Sequence, residues 1–354
     1  MNTTHRIFYT NSNKMSNVSP SSVDLIVTSP PYPMIEMWDP LFCDLNPQIK
    51  QILEDGDSKK AFTLMHNELE KVWENCRRVL KEGGILCVNI GDATRKVNNN
   101  FQLFPNHVNI ANYFQKNGFI SLPSVLWRKP TNAPNKFMGS GMLPPNAYVT
   151  LEHEYILVFR KGEKKLKFPP KSTKRYQSAY FWEERNKWFS DTWSDFRGTL
   201  QSLTDGIKND DDIRDRSAAF PLELPYRLIN MYSIYGNTIL DPFWGTGTTS
   251  LAAMICGRNS IGYELNPEFG KIFQSRIKDI ENLNKRINNE RLNAHISFIN
   301  QQVKLGKELK HQNTNYDFKV TTSQEKELLL YTINKKTMNN AIIAMNHEPY
   351  YLES

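Results

Sequence analysis

Residues 240–249 read Leu-Asp-Pro-Phe-Trp-Gly-Thr-Gly-Thr-Thr, set between a short apolar run at 238–240 and a helical pattern that begins at Thr248. Strand, glycines, helix is the order in which a doubly wound sheet builds a nucleotide pocket. The glycines permit a tight turn and close backbone approach, and the helix start offers free N–H groups. Gly245 and Gly247 occupy the first two glycine places, but Ser250 stands where a dinucleotide fingerprint needs a third. A pyrophosphate ligand therefore loses support. Glu264 ends the next apolar run, 23 residues after Asp241, where an acidic side chain can take both hydroxyls of a ribose. An adenosine-type ligand without a required pyrophosphate fits this pattern. Asp241 is then free to meet a positive group, for which the amino end of S-adenosylmethionine is a natural candidate. The competing reading is a tight turn that binds nothing.

Working outward, residues 22–28 (SVDLIVT) give a buried-strand pattern stopped by Pro30 and Pro31. Apolar positions Leu64, Leu69, Val72, Trp73, Cys76, Val79 and Leu80 recur at helical spacing, with Gly83-Gly84 as the expected left-handed stop. Strands are expected at 85–90 and 119–127, with a helix over 106–117 closed by Gly118. This βαβαβ pattern predicts a parallel sheet with right-handed crossovers. Residues 131–146 form a long loop without periodicity, and a strand follows at 155–159. A second α/β portion begins with a helix near 222–232 and continues through a strand at 238–240, a helix from Thr248, a strand at 260–265 and a helix from Pro267.

The second chemical motif is Thr28-Ser29-Pro30-Pro31-Tyr32, at the end of the first strand. An exocyclic amino group on a base is a poor nucleophile because its lone pair is delocalised into the ring. A site favours attack on a methyl sulfonium by accepting hydrogen bonds from both N–H groups, which lets the nitrogen become more tetrahedral. The Ser29 hydroxyl and the Pro30 carbonyl suit that task, and Tyr32 suits stacking on a base flipped out of its duplex. A proline turn that caps a strand is the bland reading.

Taken together, the two motifs resemble the beta-class amino methyltransferases of DNA. In that arrangement a [SD]-PP-[YFW] tetrad precedes the target-recognition region and the glycine loop follows it. Residues 80–92 (LKEGGILCVNIGD) and 125–130 (VLWRKP) are similar to the family's intermediate motifs. Phe220-Pro221 resembles its element before the glycine loop, although Arg216-Ser217-Ala218-Ala219 stands where many relatives have His-Pro-Ala. The resemblance spans about residues 20–280. It implies an α/β, doubly wound, Rossmann-like sheet, mostly parallel with an antiparallel final strand, plus a small inserted recognition region. The implied catalytic residues are Ser29, Pro30, Pro31 and Tyr32. S-adenosylmethionine would be held by Asp241, Pro242, Phe243, Gly245, Gly247, Thr248, Thr249 and Glu264, with Phe220 and Thr28 beside them, and no metal is called for. The implied partners are double-stranded DNA and a cognate restriction endonuclease. The TSPPY form is typical of enzymes acting on cytosine N4, and DPPY of adenine-N6 enzymes. Both a hydroxyl and a carboxylate accept an amino hydrogen, so adenine N6 stays open, as does a non-catalytic nucleic-acid-binding module.

The 354 residues carry 44 Lys+Arg and 37 Asp+Glu, a net charge of +7. Segment 160–188 holds ten Lys/Arg against three Glu, which leaves the rest of the chain balanced at 34 of each sign. Phe168, Tyr176, Tyr180, Phe181, Trp182 and Trp188 are interleaved with those charges, a mixture suited to phosphates and unstacked bases; a solvated loop over an aromatic mini-core is the alternative. Lys171, Lys174, Arg175, Arg185 and Lys187 are the candidate DNA contacts. The expected division is a catalytic half at 1–160, a target-recognition region at 161–215 with an acidic patch at 210–212, a cofactor-binding half at 216–280, and a C-terminal extension of no assigned chemistry at 281–354. Hydrophobic content of 39% excludes a wholly disordered chain, and no apolar run is long enough for a membrane span. The first 15 residues lack the apolar core of a signal peptide, so a cytoplasmic, nucleoid-associated monomer or weak dimer is expected. Cys43, Cys76, Cys87 and Cys256 are expected as small hydrophobes, and His107 and His153 as structural histidines.

Overall fold

The strand expected at 22–28 forms as β2 (Val23–Thr28), and all six of its residues are buried. Burial on both faces is what a central parallel strand requires. The computed structural model describes residues 1–98, 100–129, 138–196, 220–339 and 342–352. The acidic patch at 210–212, residues 216–219, and parts of the long loop and of the segment 161–215 expected as a recognition region lie outside them. The main sheet also contains β1 (Asn2–Phe8), β3 (Leu80–Ile90), β4 (Phe119–Arg128), β5 (His153–Lys161), β6 (Thr192–Trp193), β7 (Thr238–Asp241), β8 (Asn259–Tyr263), β9 (Tyr331–Asn339) and β10 (Ile342–Pro349). Their order is β6-β4-β5-β3-β2-β7-β8-β1-β10-β9.

From β3 through β1 the neighbouring strands are parallel. Two strands run against the rest: β5, inserted between β3 and β4, and β10, between β1 and β9. The simple βαβαβ expectation would have set β4 directly beside β3. Instead the chain leaves β4 and returns at the same edge, so the returning strand β5 must run antiparallel, and it takes the central place.

Helices α1 (Ser58–Val79) and α2 (Asn106–Lys116) cover one face of the sheet, and α3 (Glu223–Tyr232) and α4 (Thr248–Ile255) the other. Along β2 the side chains alternate accordingly: Ile26 faces the α1 layer, whereas Leu25 and Val27 face the α4 layer. Cys76, Cys87 and Cys256 are buried. After α5 (Glu268–Arg276), the long helix α6 (Ile280–Lys304) packs on β9. The C-terminal region thus extends the sheet beyond β1, a role its polar sequence did not disclose. No helix among the described residues is long and apolar enough to cross a membrane.

Residues 162–196 run across the α4-side face as two short helices, Thr173–Gln177 and Trp182–Trp188, before β6. Trp188 and Trp193 are core residues with Val125, Trp127 and Ile156. Phe181 is fully buried and stacks on His295 at 3.9 Å between ring centroids. These aromatic side chains are therefore a mini-core rather than platforms for bases, while Trp182 keeps 40% of its surface exposed.

The glycine pair expected to stop α1 does something else. Helix α1 ends at Val79, and Leu80 is already extended at φ −70° and ψ 136° and fully buried as the first residue of β3. Gly83, at φ +78°, sits in an irregularity of β3 where the pairing slips between Val23↔Leu80 and Leu25↔Ile85. A Cβ there would lie 2.8 Å from the Leu166 backbone nitrogen. Gly118, at φ +84°, has nothing within 4 Å of the same position. Replacing Gly118 by alanine should cost only the left-handed penalty, about 1–2 kcal/mol, whereas Gly83→Ala adds a backbone collision worth about 1–3 kcal/mol more. Urea unfolding of the two variants checks this; equal midpoints would show that residues 164–166 do not pack on Gly83.

Candidate active site

The two sequence motifs meet at one buried carboxylate. The Thr28 hydroxyl donates to Asp241 Oδ1 at 2.7 Å, the Thr249 hydroxyl to Oδ2 at 2.7 Å, and the Phe243 backbone N–H to Oδ1 at 3.1 Å. Asp241 is 3% exposed. The sequence pattern leaves Asp241 free for a cationic ligand; in the fold its Oδ1 already accepts two protein donors and its Oδ2 one. It ties the end of β2, the end of β7 and the first turn of α4 together.

Beyond this clamp the loop folds as its glycines require. Gly245 (φ +54°) and Gly247 (φ +78°) are left-handed, and a Cβ on Gly247 would meet Phe273 at 2.4 Å and Trp244 at 2.6 Å. Ser250, the break in the dinucleotide fingerprint, accepts the Trp244 indole N–H at 2.9 Å and hydrogen-bonds Ser260 at 3.0 Å. It locks the loop to α4 and β8. Glu264, just past β8, accepts the Gly245 N–H on Oε2 and the Asn266 N–H on Oε1, each at 2.8 Å. Burial pushes its carboxyl upward. Each oxygen still has a lone pair for a hydroxyl donor.

One cleft at the carboxyl ends of the parallel strands is lined by Ser29, Tyr32, Asp241, Phe243, Gly245 and Glu264. That is the rim at which doubly wound sheets place their ligands. Pro30, Pro31, Pro242, Thr248 and Phe220 line it as well, and so do Thr10 to Asn13, the loop after β1 that sequence reasoning passed over.

Around Tyr32 the structure adds three polar residues absent from the sequence-based list. The Tyr32 hydroxyl donates to Glu154 Oε2 at 3.0 Å and lies 3.2 Å from the Ser29 hydroxyl. The Asn89 amide donates to both the Tyr32 oxygen (3.0 Å) and Glu154 Oε2 (2.7 Å), and Lys129 donates to Glu154 Oε1 at 3.0 Å. Burial, with the Glu154 carboxylate next, pushes the Tyr32 phenol well above its usual range. The available signal was the pair His153-Glu154 at the head of a strand. The histidine drew attention there, yet it packs edge-on against Tyr155. His107 stacks on Tyr155 and bonds Asp92 at 2.8 Å, a structural role.

The N6_N4_Mtase family model, a DNA methylase, matches residues 23–275. The chain belongs to this DNA methylase family. It is 52% identical over 344 residues to the type II methyltransferase M.MthZI of Methanothermobacter thermautotrophicus, covering 96% of this chain and 94% of the relative. It is 50% identical to M.MjaI of Methanocaldococcus jannaschii, covering 78% of this chain and 91% of that one. Among solved structures, TTHA0409 from Thermus thermophilus in complex with S-adenosyl-L-methionine aligns at TM-score 0.59 and 29% identity, over 78% of this chain and 94% of that one. The PvuII DNA methyltransferase, described as cytosine-N4-specific, shares the fold at TM-score 0.51 and 18% identity, over 81% of this chain and 93% of that one.

The methylase carries its candidate DNA cations on two different edges. Lys174 approaches Gly236, just before β7, and Arg175 and Arg185 line a groove with Gly83, Leu122 and Asn237, at the amino ends of the parallel strands. Lys187 pairs with Asp195 at 2.8 Å, close to β6 and nearer the catalytic rim. All five cations, Lys171 included, are exposed. Thus the structure does not bring Lys174, Arg175 and Arg185 beside Ser29 and Tyr32.

Burial pushes the Asp241 carboxyl up to about 6, against the pull of the Thr28, Thr249 and Phe243 donors. Between about pH 4, where an unfolded Asp titrates, and about 6, the native state keeps a proton that the unfolded chain has lost. Stability therefore falls as pH rises through that window and levels off above it. Relative to Asp241→Asn, the wild type should lose about 1.4 kcal/mol per pH unit there, read from urea unfolding between pH 4 and 7. A flat difference would mean that this carboxylate is solvated.

Proposed function

We propose that this DNA methylase transfers a methyl group from S-adenosylmethionine to the N4 amino group of cytosine in duplex DNA, as the modification half of a type II restriction-modification pair. The observation that carries the reading is the Ser29-Pro30-Pro31-Tyr32 turn on the same cleft as the Gly245–Gly247 loop and Glu264. A neutral serine at position 29 is the form typical of cytosine-N4 enzymes. The type II names of the 52% and 50% identical relatives support the restriction-modification setting.

The cleft suits the cofactor chemically. Glu264 offers acceptors for ribose hydroxyls, and Pro242, Phe243, Leu265 and Phe269 supply apolar walls. When bound, S-adenosylmethionine supplies a sulfonium-activated methyl group. Ser29 Oγ and the Pro30 carbonyl accept the two amino hydrogens of the base, and the Tyr32 ring takes the stacking place that the base loses on leaving the duplex. That extrusion costs a few kcal/mol, which the pocket contacts must offset.

DNA methylated by the enzyme, digested to nucleosides and examined by mass spectrometry, should contain N4-methylcytosine. Modified adenine without modified cytosine would reassign the base to adenine N6. Ser29→Ala should lower the rate of methyl transfer about 100-fold and leave DNA affinity within about threefold, since the change removes no phosphate contact; a wild-type chain that binds DNA but never transfers methyl would make it a silent binding module.

The cations Lys171, Lys174 and Arg175 are proposed phosphate contacts in this reading, and their edge makes the test informative. Each phosphate contact removed lowers the log–log salt slope of DNA binding by about 0.9. A triple alanine variant with an unchanged slope would confine the DNA to the rim around Ser29.

A further inference from the structure

Glu154 is buried, 9% exposed, and the reaction as described so far gives it no task. It heads β5, the antiparallel strand inserted beside β3, and this insertion is what carries a carboxylate to the back of the Tyr32 ring. Its two oxygens are differently employed. Oε2 accepts from the Tyr32 hydroxyl and the Asn89 amide, and Oε1 accepts from the Lys129 ammonium at the surface. Ser29, Tyr32, Glu154 and Lys129 thus form an unbroken line of polar atoms spaced 3.2, 3.0 and 3.0 Å apart, running from the cleft outward. Asn89, 3% exposed, has a second atom, Oδ1, buried beside this line without a hydrogen-bond partner among the described residues.

We infer that Glu154 is the proton acceptor of methyl transfer, reached from the base through the Ser29 and Tyr32 hydroxyls. This deepens, and rests on, the reading of the cleft as a site of amino-group methylation. A serine at position 29 can accept an amino hydrogen but is too weak a base to keep one. When the amino nitrogen forms its bond to the methyl carbon, the carbon–sulfur bond breaks and sulfur keeps the pair; the nitrogen is left cationic with both its hydrogens. One of them passes to Ser29 Oγ as the serine's own hydroxyl proton moves to the Tyr32 oxygen and the Tyr32 proton moves to Glu154 Oε2. Both hydroxyls end as they began, Glu154 becomes a carboxylic acid, and the base is a neutral methylamine. Loss of the Glu154 proton to solvent, past the half-buried Lys129, resets the line. A carboxylate behind a hydroxyl relay also places a negative charge where positive charge develops on the base. Glu154 touches neither base nor methyl donor in this scheme, so it acts as a positioning residue through Tyr32.

The test is single-turnover transfer of labelled methyl to unmethylated genomic DNA, with affinity for S-adenosylmethionine and for DNA measured alongside. Tyr32→Phe keeps the stacking ring and removes only the relay oxygen. Tyr32→Phe and Glu154→Gln are each expected to slow transfer at least tenfold, within the range of general acid–base contributions, with both affinities within about threefold of wild type. The double variant should be no slower than the slower single variant by more than about twofold, because both break one line. Glu154→Asp should recover part of the rate. Wild-type transfer by Tyr32→Phe or by Glu154→Gln, or losses that multiply in the double variant, overturns the inference. If Glu154→Gln loses cofactor binding, Tyr32→Phe and Glu154→Asp decide alone. Absence of transfer by the wild type overturns the methylation reading itself, a distinct result.

Discussion

Everything at the catalytic rim depends on a carboxylate that has been taken out of water. Burying an aspartate is unfavourable unless its lone pairs are filled, and Asp241 fills them with two threonine hydroxyls and one backbone N–H. Thr28 and Asp241 stand 213 positions apart in the chain. The bond between them therefore sets the position of the Ser29 turn relative to the glycine loop, and with it the distance a methyl group would have to cross. Removing Thr28 or Thr249 would leave the other donor against a charge with too few partners. A site held this way resists small displacements, which suits a reaction that needs two bound groups in line.

The parts of this site that could be read in advance are those whose chemistry is local in sequence. The strand before Ser29, the glycine loop and the run to Glu264 each announce themselves within about ten residues, through periodicity and glycine placement. The missing parts depend on partners far away. Strand β1 points Thr3 and His5 inward, so its burial alternation is carried by polar side chains and reads as surface. These side chains bond each other and, across the sheet, Ser260 and His347 from β8 and β10. Glu154 shows in sequence only as an acid at a strand head, because nothing near it says that β5 inserts between β3 and β4. Gly83 misled in the opposite direction, because a left-handed glycine after a helical pattern has two uses and the extended, buried Leu80 had already ended the helix.

The excess charge of the chain is real, but the fold divides it. Within segment 160–188, Glu184 pairs with Arg291 and Glu183 bonds His295, so two of the three acids of the segment turn inward and dock the helix Trp182–Trp188 on α6. Lys171, Lys174, Arg175 and Arg185 of the same segment stay exposed. Strand β5 spans nine residues from His153 to Lys161, about 30 Å at about 3.3 Å per residue. Its first end carries Glu154 and its last end adjoins the basic groove. The two groups of cations are thus a strand's length apart, and which edge the DNA meets decides which cations count.

The base pocket carries one more constraint, set by a residue with no side chain. A Cβ at Gly91 would come within 3.0 Å of Tyr32 Cε2 and 3.4 Å of the Glu154 Cγ. The tyrosine ring is therefore pressed against the backbone that follows β3, on the side away from the cleft. This contact fixes the plane of the Tyr32 ring, the surface that the proposed function gives to the base, and the same ring delivers its hydroxyl to Glu154. Stacking and hydrogen bonding are thus not independent adjustments: a larger residue at position 91 would tilt the ring and stretch the line from Ser29 to Glu154 together. The short side chain at 29, the absent one at 91 and the long one at 154 are complementary, since the hydroxyl of Tyr32 lies within hydrogen-bond reach of both Ser29 and Glu154.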